Sequence, residues 1–225
     1  MLLLFDIDGT LLNGNGIGRR CVEAALTEVV GRPVSAEGVP FSGKTDPQCL
    51  RDVYEANGIE ATDTLIADGL AHYAAAMHAT ATADMVTVLP GVPSLVASLS
   101  VDDRVQLALL TGNMEAMAYL KVGFLGYDRA TFPFGAFGSD SEARNDLPAI
   151  AADRARSHTG RSYASEEVVV IGDTPRDIAC ARHFGARAIA VATGRFDAES
   201  LAEHEPDALL SDLRDPAAFW AALGM

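Results

Sequence analysis

Residues 2–12 read LLLFDIDGTLL. The continuous apolar run predicts a strand buried on both faces of a parallel sheet, since a half-exposed strand would alternate. The run ends in two carboxylates, Asp6 and Asp8, which extended backbone points the same way because they sit two apart. Gly9 then permits a sharp departure from the strand. With such a pair, one carboxylate can attack while its neighbour handles a proton.

Three further runs have the same character: VQLALLT (105–111), VVVIGD (168–173) and AIAVATG (188–194). ALLSDL (208–213) and AFGSD (136–140) are weaker strand candidates. Helical stretches lie between them, around PSLVASL (93–99) and from Pro175 to Phe184. Strands alternating with helices imply an α/β fold, a Rossmann-like parallel sheet with right-handed crossovers. From about Gly14 to Val88 the rhythm changes to helical patterns alone: 17–30, 47–58 and the Ala-rich 64–79. The expected organisation is an α/β core formed by 1–13 and 89–225, with a helical cap inserted over 14–88. Asn13, Gly14 and Gly16 are the expected flexible exit, and LPGVP (89–93) the return.

Composition narrows the function. A net charge of −14 over 225 residues argues against a nucleic-acid partner, which needs clustered Lys and Arg. Cys21, Cys49 and Cys180 form no pair pattern and read as buried thiols of a reducing cytoplasm. No apolar run reaches membrane-span length, and MLLLF is too short and lacks the basic flank of a signal peptide. A cytoplasmic protein, monomer or homodimer, is the expectation. The five histidines have no metal-ligand spacing.

Ligands of open α/β sheets bind beyond the carboxyl ends of the strands. The polar residues expected there are Asp6, Asp8, Thr111 and Asp173, with Asp177 one helical turn further on. Carboxylates crowded at one edge repel each other, and a hard cation such as Mg²⁺ with oxygen ligands resolves the conflict.

FDIDGTLL (5–12), LLTGN (109–113) and IGDTPRDI (171–178), in that order, resemble the motifs of the haloacid dehalogenase superfamily. The resemblance implies a core with a helical cap, closest in character to the phosphoglycolate phosphatase-like group, acting on a small phosphorylated metabolite. It implies Asp6 as the nucleophile that becomes an aspartyl-phosphate, and Asp8 as the acid that protonates the leaving alcohol and later activates water. Thr111 would bond the phosphoryl oxygens. Asp6, the Asp8 carbonyl and Asp173 would hold Mg²⁺, with Asp177 in support. An acid at position 8 points to phosphate rather than halide chemistry. A phosphomutase is the alternative, disfavoured by Thr10 and by the lack of a histidine before His72.

The chain departs from the family at its bridging lysine, for which RNDLP (144–148) offers none. Only Lys44 and Lys121 exist, so the role is expected of Lys121 on the helix leaving LLTGN, with Arg144 as a fallback cation. In that turn, Gly112 and Asn113 are substrate-contact candidates, although Asn113 suits the cap of the following helix better. Thr174 reads as a helix start with Pro at the first helical position.

Residues 38–45, GVPFSGKT, satisfy the phosphate-loop pattern of nucleotide-binding proteins. No buried strand precedes them, and Pro40 removes an N–H from a loop that must donate to phosphate. A P-loop NTPase is therefore a weak alternative. Instead FSGKTD (41–46) is expected to face the substrate, through Gly43, Lys44 and Thr45, with Lys44 favouring an anionic group.

Overall fold

A computed structural model describes all 225 residues. Six parallel strands form one sheet: β1 (Leu2–Phe5), β4 (Gln106–Thr111), β5 (Gly135–Phe137), β6 (Val168–Gly172), β7 (Arg187–Val191) and β8 (Ala208–Leu210), in the order β5-β4-β1-β6-β7-β8. All six segments expected to be strands are in it, including the two weaker ones. β1 lies at the centre, with Phe5 in register with Leu109 on one side and Ile171 on the other. The chain leaves β1 for β4 and β5, then returns past it to β6, so the switch in winding direction falls beside β1. That crevice is where an open sheet of this kind presents a ligand.

Alternate strand residues feed two apolar layers. Leu3, Phe5, Leu107, Leu109, Val169 and Ile171 face one layer, closed by α4 (Val92–Leu99) and α9 (Pro216–Ala222). Leu2, Leu4, Ala108, Leu110, Val168 and Val170 face the other, closed by α6 (Leu147–Thr159) and α7 (Pro175–Phe184). Burial on both faces explains the uninterrupted apolar runs. Phe5 packs edge-on to Phe132 and stacked on Phe219, with centroids 6.2 and 6.3 Å away. α8 (Ala198–Ala202) completes the second layer through Leu201.

Three helices, α1 (Ile17–Val30), α2 (Asp46–Ala56) and α3 (Asp63–Thr80), surround a third apolar core of their own. Leu26, Leu50, Val53, Tyr54 and Met77 are fully buried in it, and Met117 of α5 (Glu115–Gly123) joins from the sheet side. The connections into and out of this body are not loose. β2 (Leu12–Asn13) and β3 (Thr87–Val88) pair as an antiparallel ribbon, Leu12 opposite Val88 and Asn13 opposite Thr87. Asn13 is thus held in a ladder rather than in a free exit, and the Asn15 amide adds bonds to the Met85 carbonyl and the Thr87 hydroxyl. No helix is long and apolar enough to cross a membrane. All three cysteines are free and buried.

Candidate active site

The carboxyl ends of β1, β4 and β6 bring Asp6, Thr111 and Asp173 to one edge, where Asp8 and Gly9 follow β1. One cavity of about 400 Å³ opens there, lined on the sheet side by these residues and on the other by residues of α1, α2, α3 and the 41–46 loop. Such a volume suits a small-molecule ligand.

Asp6, Asp173 and Asp177 are buried, and their oxygens lie within 4.8 Å of one another. Each is placed by local structure. Asp6 ends β1, its N–H donating 2.9 Å to the Ile171 carbonyl. Asp173 ends β6 and accepts 3.2 Å from the Thr10 hydroxyl. Gly9, at φ +89°, leaves room for it: a Cβ there would stand 2.3 Å from Asp173 Oδ2. Thr174 opens α7 with Pro175 in the first turn, as expected, and Asp177, expected as a support for the metal, closes a reciprocal capping box with it.

Arg144 is buried in the same cluster. Its Nη2 lies 3.3 Å from Asp6 Oδ1 and contacts Asp177 Oδ1, while its Nε has no partner. Three buried carboxylates face one guanidinium, an excess of two negative charges if all are ionised. Burial raises Asp6 to about 6, opposed by Arg144 and reinforced by Asp177 and Asp8. Burial, then Asp177 and Asp6, push Asp173 up to about 9. This excess of hard oxygen donors fits a divalent cation. Asp6 and Asp173 are the freest to ligate, because both Asp177 oxygens already accept hydrogen bonds from Thr174 and Arg144.

A second constellation lies beside the first. Lys121 Nζ is 2.6 Å from Asp8 Oδ2 and 2.7 Å from the Asn113 carboxamide oxygen. Asn113 Nδ2 in turn donates to Asp8 Oδ2 at 2.8 Å and to the Thr111 hydroxyl at 2.7 Å. Burial alone would lower the ammonium's pKa, but Asp8 and Asp46 outweigh it and raise it, so Lys121 stays charged. Asp8 is the exposed member, with 43 % of its side chain accessible. Asn113 does not cap α5, contrary to the preferred expectation, because its amide is committed to Asp8, Thr111 and Lys121. The N–H groups at that helix start go elsewhere, Met114 to Asp46 and Glu115 to Ser139.

The 41–46 loop lines the cavity through Phe41, Ser42, Gly43, Lys44 and Asp46, but not through Thr45. Gly43 (φ +69°) and Gly112 mark close backbone approaches: a Cβ on Gly43 would lie 2.6 Å from Thr174 Oγ1, and one on Gly112 2.0 Å from the Lys44 carbonyl. Thr45 is completely buried, caps α2, and donates its hydroxyl to the Glu142 carbonyl at 2.9 Å. It is absent from the cavity wall, so its place is structural. Lys44 does line the cavity, but its ammonium is paired with Asp52, which cancels the charge an anionic ligand would use. The phosphate-loop pattern has no strand before it and no free lysine within it.

Tyr73, Arg19 and Asp46 complete the wall. Tyr73 of α3 is 2 % exposed, lines the cavity, and its hydroxyl has no protein partner. Arg19 of α1 stacks 4.3 Å over Phe41, donates to the Ala36 and Val39 carbonyls, and has no carboxylate partner. Asp46 is half-buried and accepts from the Met114 N–H at 2.8 Å. A lone Tyr in an Ala-rich helix carries no sequence signal of such placement, whereas Asp46 ends the FSGKTD stretch expected to face the substrate.

Residues 145–216 match a family model described as HAD-hydrolase-like. No curated protein matches the sequence. Among solved structures, the chain is similar to a hydrolase from Pseudomonas syringae, with TM-score 0.74, 19 % identity and 97 % of each chain covered. It is similar to a predicted phosphoglycolate phosphatase from Haemophilus somnus, with TM-score 0.69, 18 % identity and 97 % of each chain covered. CbbY from Rhodobacter sphaeroides, solved in complex with phosphate, gives TM-score 0.72 at 17 % identity over 100 % of this chain and 99 % of that one.

Proposed function

We propose that this chain, which matches a HAD-hydrolase-like family model over residues 145–216 and shares its fold with solved hydrolases and phosphatases, is a Mg²⁺-dependent phosphomonoesterase of small phosphorylated metabolites. The observation that carries the proposal is one juxtaposition. Buried Asp6 faces the guanidinium of Arg144, and exposed Asp8 is held by Lys121 and Asn113, at the mouth of one cavity.

In this reading, an Asp6 oxygen attacks phosphorus and the bond to the leaving oxygen breaks. Asp8 gives that oxygen its proton, so the alcohol departs neutral and an aspartyl-phosphate remains. Asp8, now a carboxylate, takes a proton from water as the water oxygen attacks the same phosphorus. The bond to Asp6 breaks, inorganic phosphate leaves, and both carboxylates return to their starting state. Lys121 and Thr111 would offer donors to the phosphoryl oxygens, and Arg144 offsets the charge on Asp6. Asp6, Asp173 and the Asp8 carbonyl would hold Mg²⁺, with Asp177 behind them, and the ion would neutralise charge on the transferring group. Residues 14–88 serve as a cap that limits bulk water at the acyl-phosphate.

The test is turnover of a phosphate-ester panel with Mg²⁺ by wild type and Asp6→Asn. Hydrolysis by the wild type that disappears in the variant supports the proposal. Turnover surviving the substitution would refute the aspartyl-phosphate.

A further inference from the structure

Asp46 is the first residue of α2, yet both of its polar ends are spent on the sheet side of the cavity. Its N–H donates to the Gly112 carbonyl at 2.7 Å, and its Oδ2 accepts from the Met114 N–H at 2.8 Å. One residue of the helical body therefore grips the turn before α5 on both sides of Asn113. From the opposite side, the Gly138 N–H fixes the Asn113 carbonyl at 2.8 Å.

The residue that opens α5 gives it no side-chain cap, so its first N–H groups are met from elsewhere, Met114 by Asp46 and Glu115 by Ser139, and at that end a carboxylate is also favoured by the helix dipole. What the turn presents is the Asn113 carboxamide, the group that bonds both Lys121 and Asp8. A shift of the turn moves that carboxamide and with it the alignment of the ammonium and the carboxylate. Asp46 itself is not within hydrogen-bond distance of either group.

We propose that Asp46 is a positioning residue: by clamping Gly112 and Met114 it supplies, from the helical body, the N-terminal cap of the helix that carries Lys121, and so aligns Lys121 with Asp8 only when that body is seated on the sheet. The functional consequence rests on the phosphatase reading, whereas the clamp does not. Seating and alignment become one event, because the same carboxylate completes both.

The test uses the full-length protein as wild type, Asp46→Ala and Asp46→Asn, since the Asn oxygen can still accept from Met114. Amide exchange at Met114 is expected to be slow in wild type, fast in the Ala variant and slow again in the Asn variant. With two lysines in the chain, lysine-selective NMR yields two side-chain signals, and Lys44→Arg assigns them. The Lys121 signal is expected to move in Asp46→Ala and to return in Asp46→Asn. On the best ester, kcat should fall about tenfold in Asp46→Ala with KM within about twofold, and Asp46→Asn should restore it. Fast Met114 exchange in wild type, for which no variant need fold, would overturn the clamp. So would an unmoved Lys121 signal, or a rise in KM with kcat intact, which would make Asp46 a substrate contact. A wild type without turnover on any ester would fell the phosphatase reading, and the exchange and NMR measurements would still decide the clamp.

Discussion

Arg144 Nη2 stands 3.3 Å from Asp6 Oδ1 and also contacts Asp177, so a single guanidinium serves two buried carboxylates. Both contacts come from the one Nη2, while Nη1 is directed at the Gly43 carbonyl, and the planar guanidinium fixes these directions in a way a flexible ammonium does not. The arginine occupies the RNDLP stretch, where the sequence resemblance implies a lysine, and Lys121 stands instead beside Asp8.

Arg144→Ala removes the cation from a buried cluster and leaves three carboxylates facing one another. Loss of one partner of a buried pair costs about 3–5 kcal/mol, so denaturant unfolding should show a decrease of that order, with activity abolished. Arg144→Lys keeps the charge and loses the fork. It should fold, with kcat reduced by about 10- to 100-fold, as measured on the best ester.

Asp46 yields a pH prediction whose sign is fixed by its environment. Burial raises its carboxyl to about 6, against the opposing pull of Lys121 and the Met114 N–H. The folded state thus holds the proton more tightly than the unfolded chain does. The stabilisation this brings is fully present below the unfolded value near 3.8 and is lost as pH rises through about 6. Asp46→Asn removes that dependence. In paired denaturation curves, the variant should gain stability relative to wild type between pH 4 and pH 7, and a difference that stays constant with pH would contradict this.

Mg²⁺ binding should be visible without any substrate. An ion that binds only the folded state at about 100 times its dissociation constant stabilises by about 2.7 kcal/mol. Wild type is therefore expected to gain several degrees in Tm with saturating Mg²⁺, and Asp173→Asn to gain none. An equal gain in the two proteins would move the ion away from this cluster.

Tyr73 has a buried ring and an unpartnered hydroxyl, so the two halves of the side chain are separable. Tyr73→Phe keeps the packing and should leave Tm within about 1 °C, because no protein hydrogen bond is lost. If the hydroxyl serves substrate, KM should rise by about fivefold or more with kcat little changed. Steady-state kinetics on the best ester separates the two parameters.

The elements were legible because each obeys a local rule. The strands were continuous apolar runs, and α1 and α7 span 17–30 and 175–184, where the sequence placed helices. The carboxylates at the ends of β1 and β6 followed from strand direction alone. Residues whose placement depends on another part of the chain were not legible. Thr45 reads as a ligand in a phosphate-loop pattern but is sealed by Glu142, 97 residues away. Lys44 reads as a free cation, but Asp52 lies two turns along the adjoining helix and takes its charge. Asn113 is a good capping residue by type, yet a carboxylate from another helix reaches α5 first.

The β2–β3 ribbon places the departing and returning strands of the helical body side by side, with Leu12 directly opposite Val88. A short turn joining the two strands there would excise the whole body without rerouting any strand of the main sheet. In architectural terms, the fold has a single socket: helices of other lengths or shapes can be grafted through the same two adjacent strands, while the row of carboxylates beneath keeps its register. The apolar face that Met117 presents is the surface any such graft would have to cover.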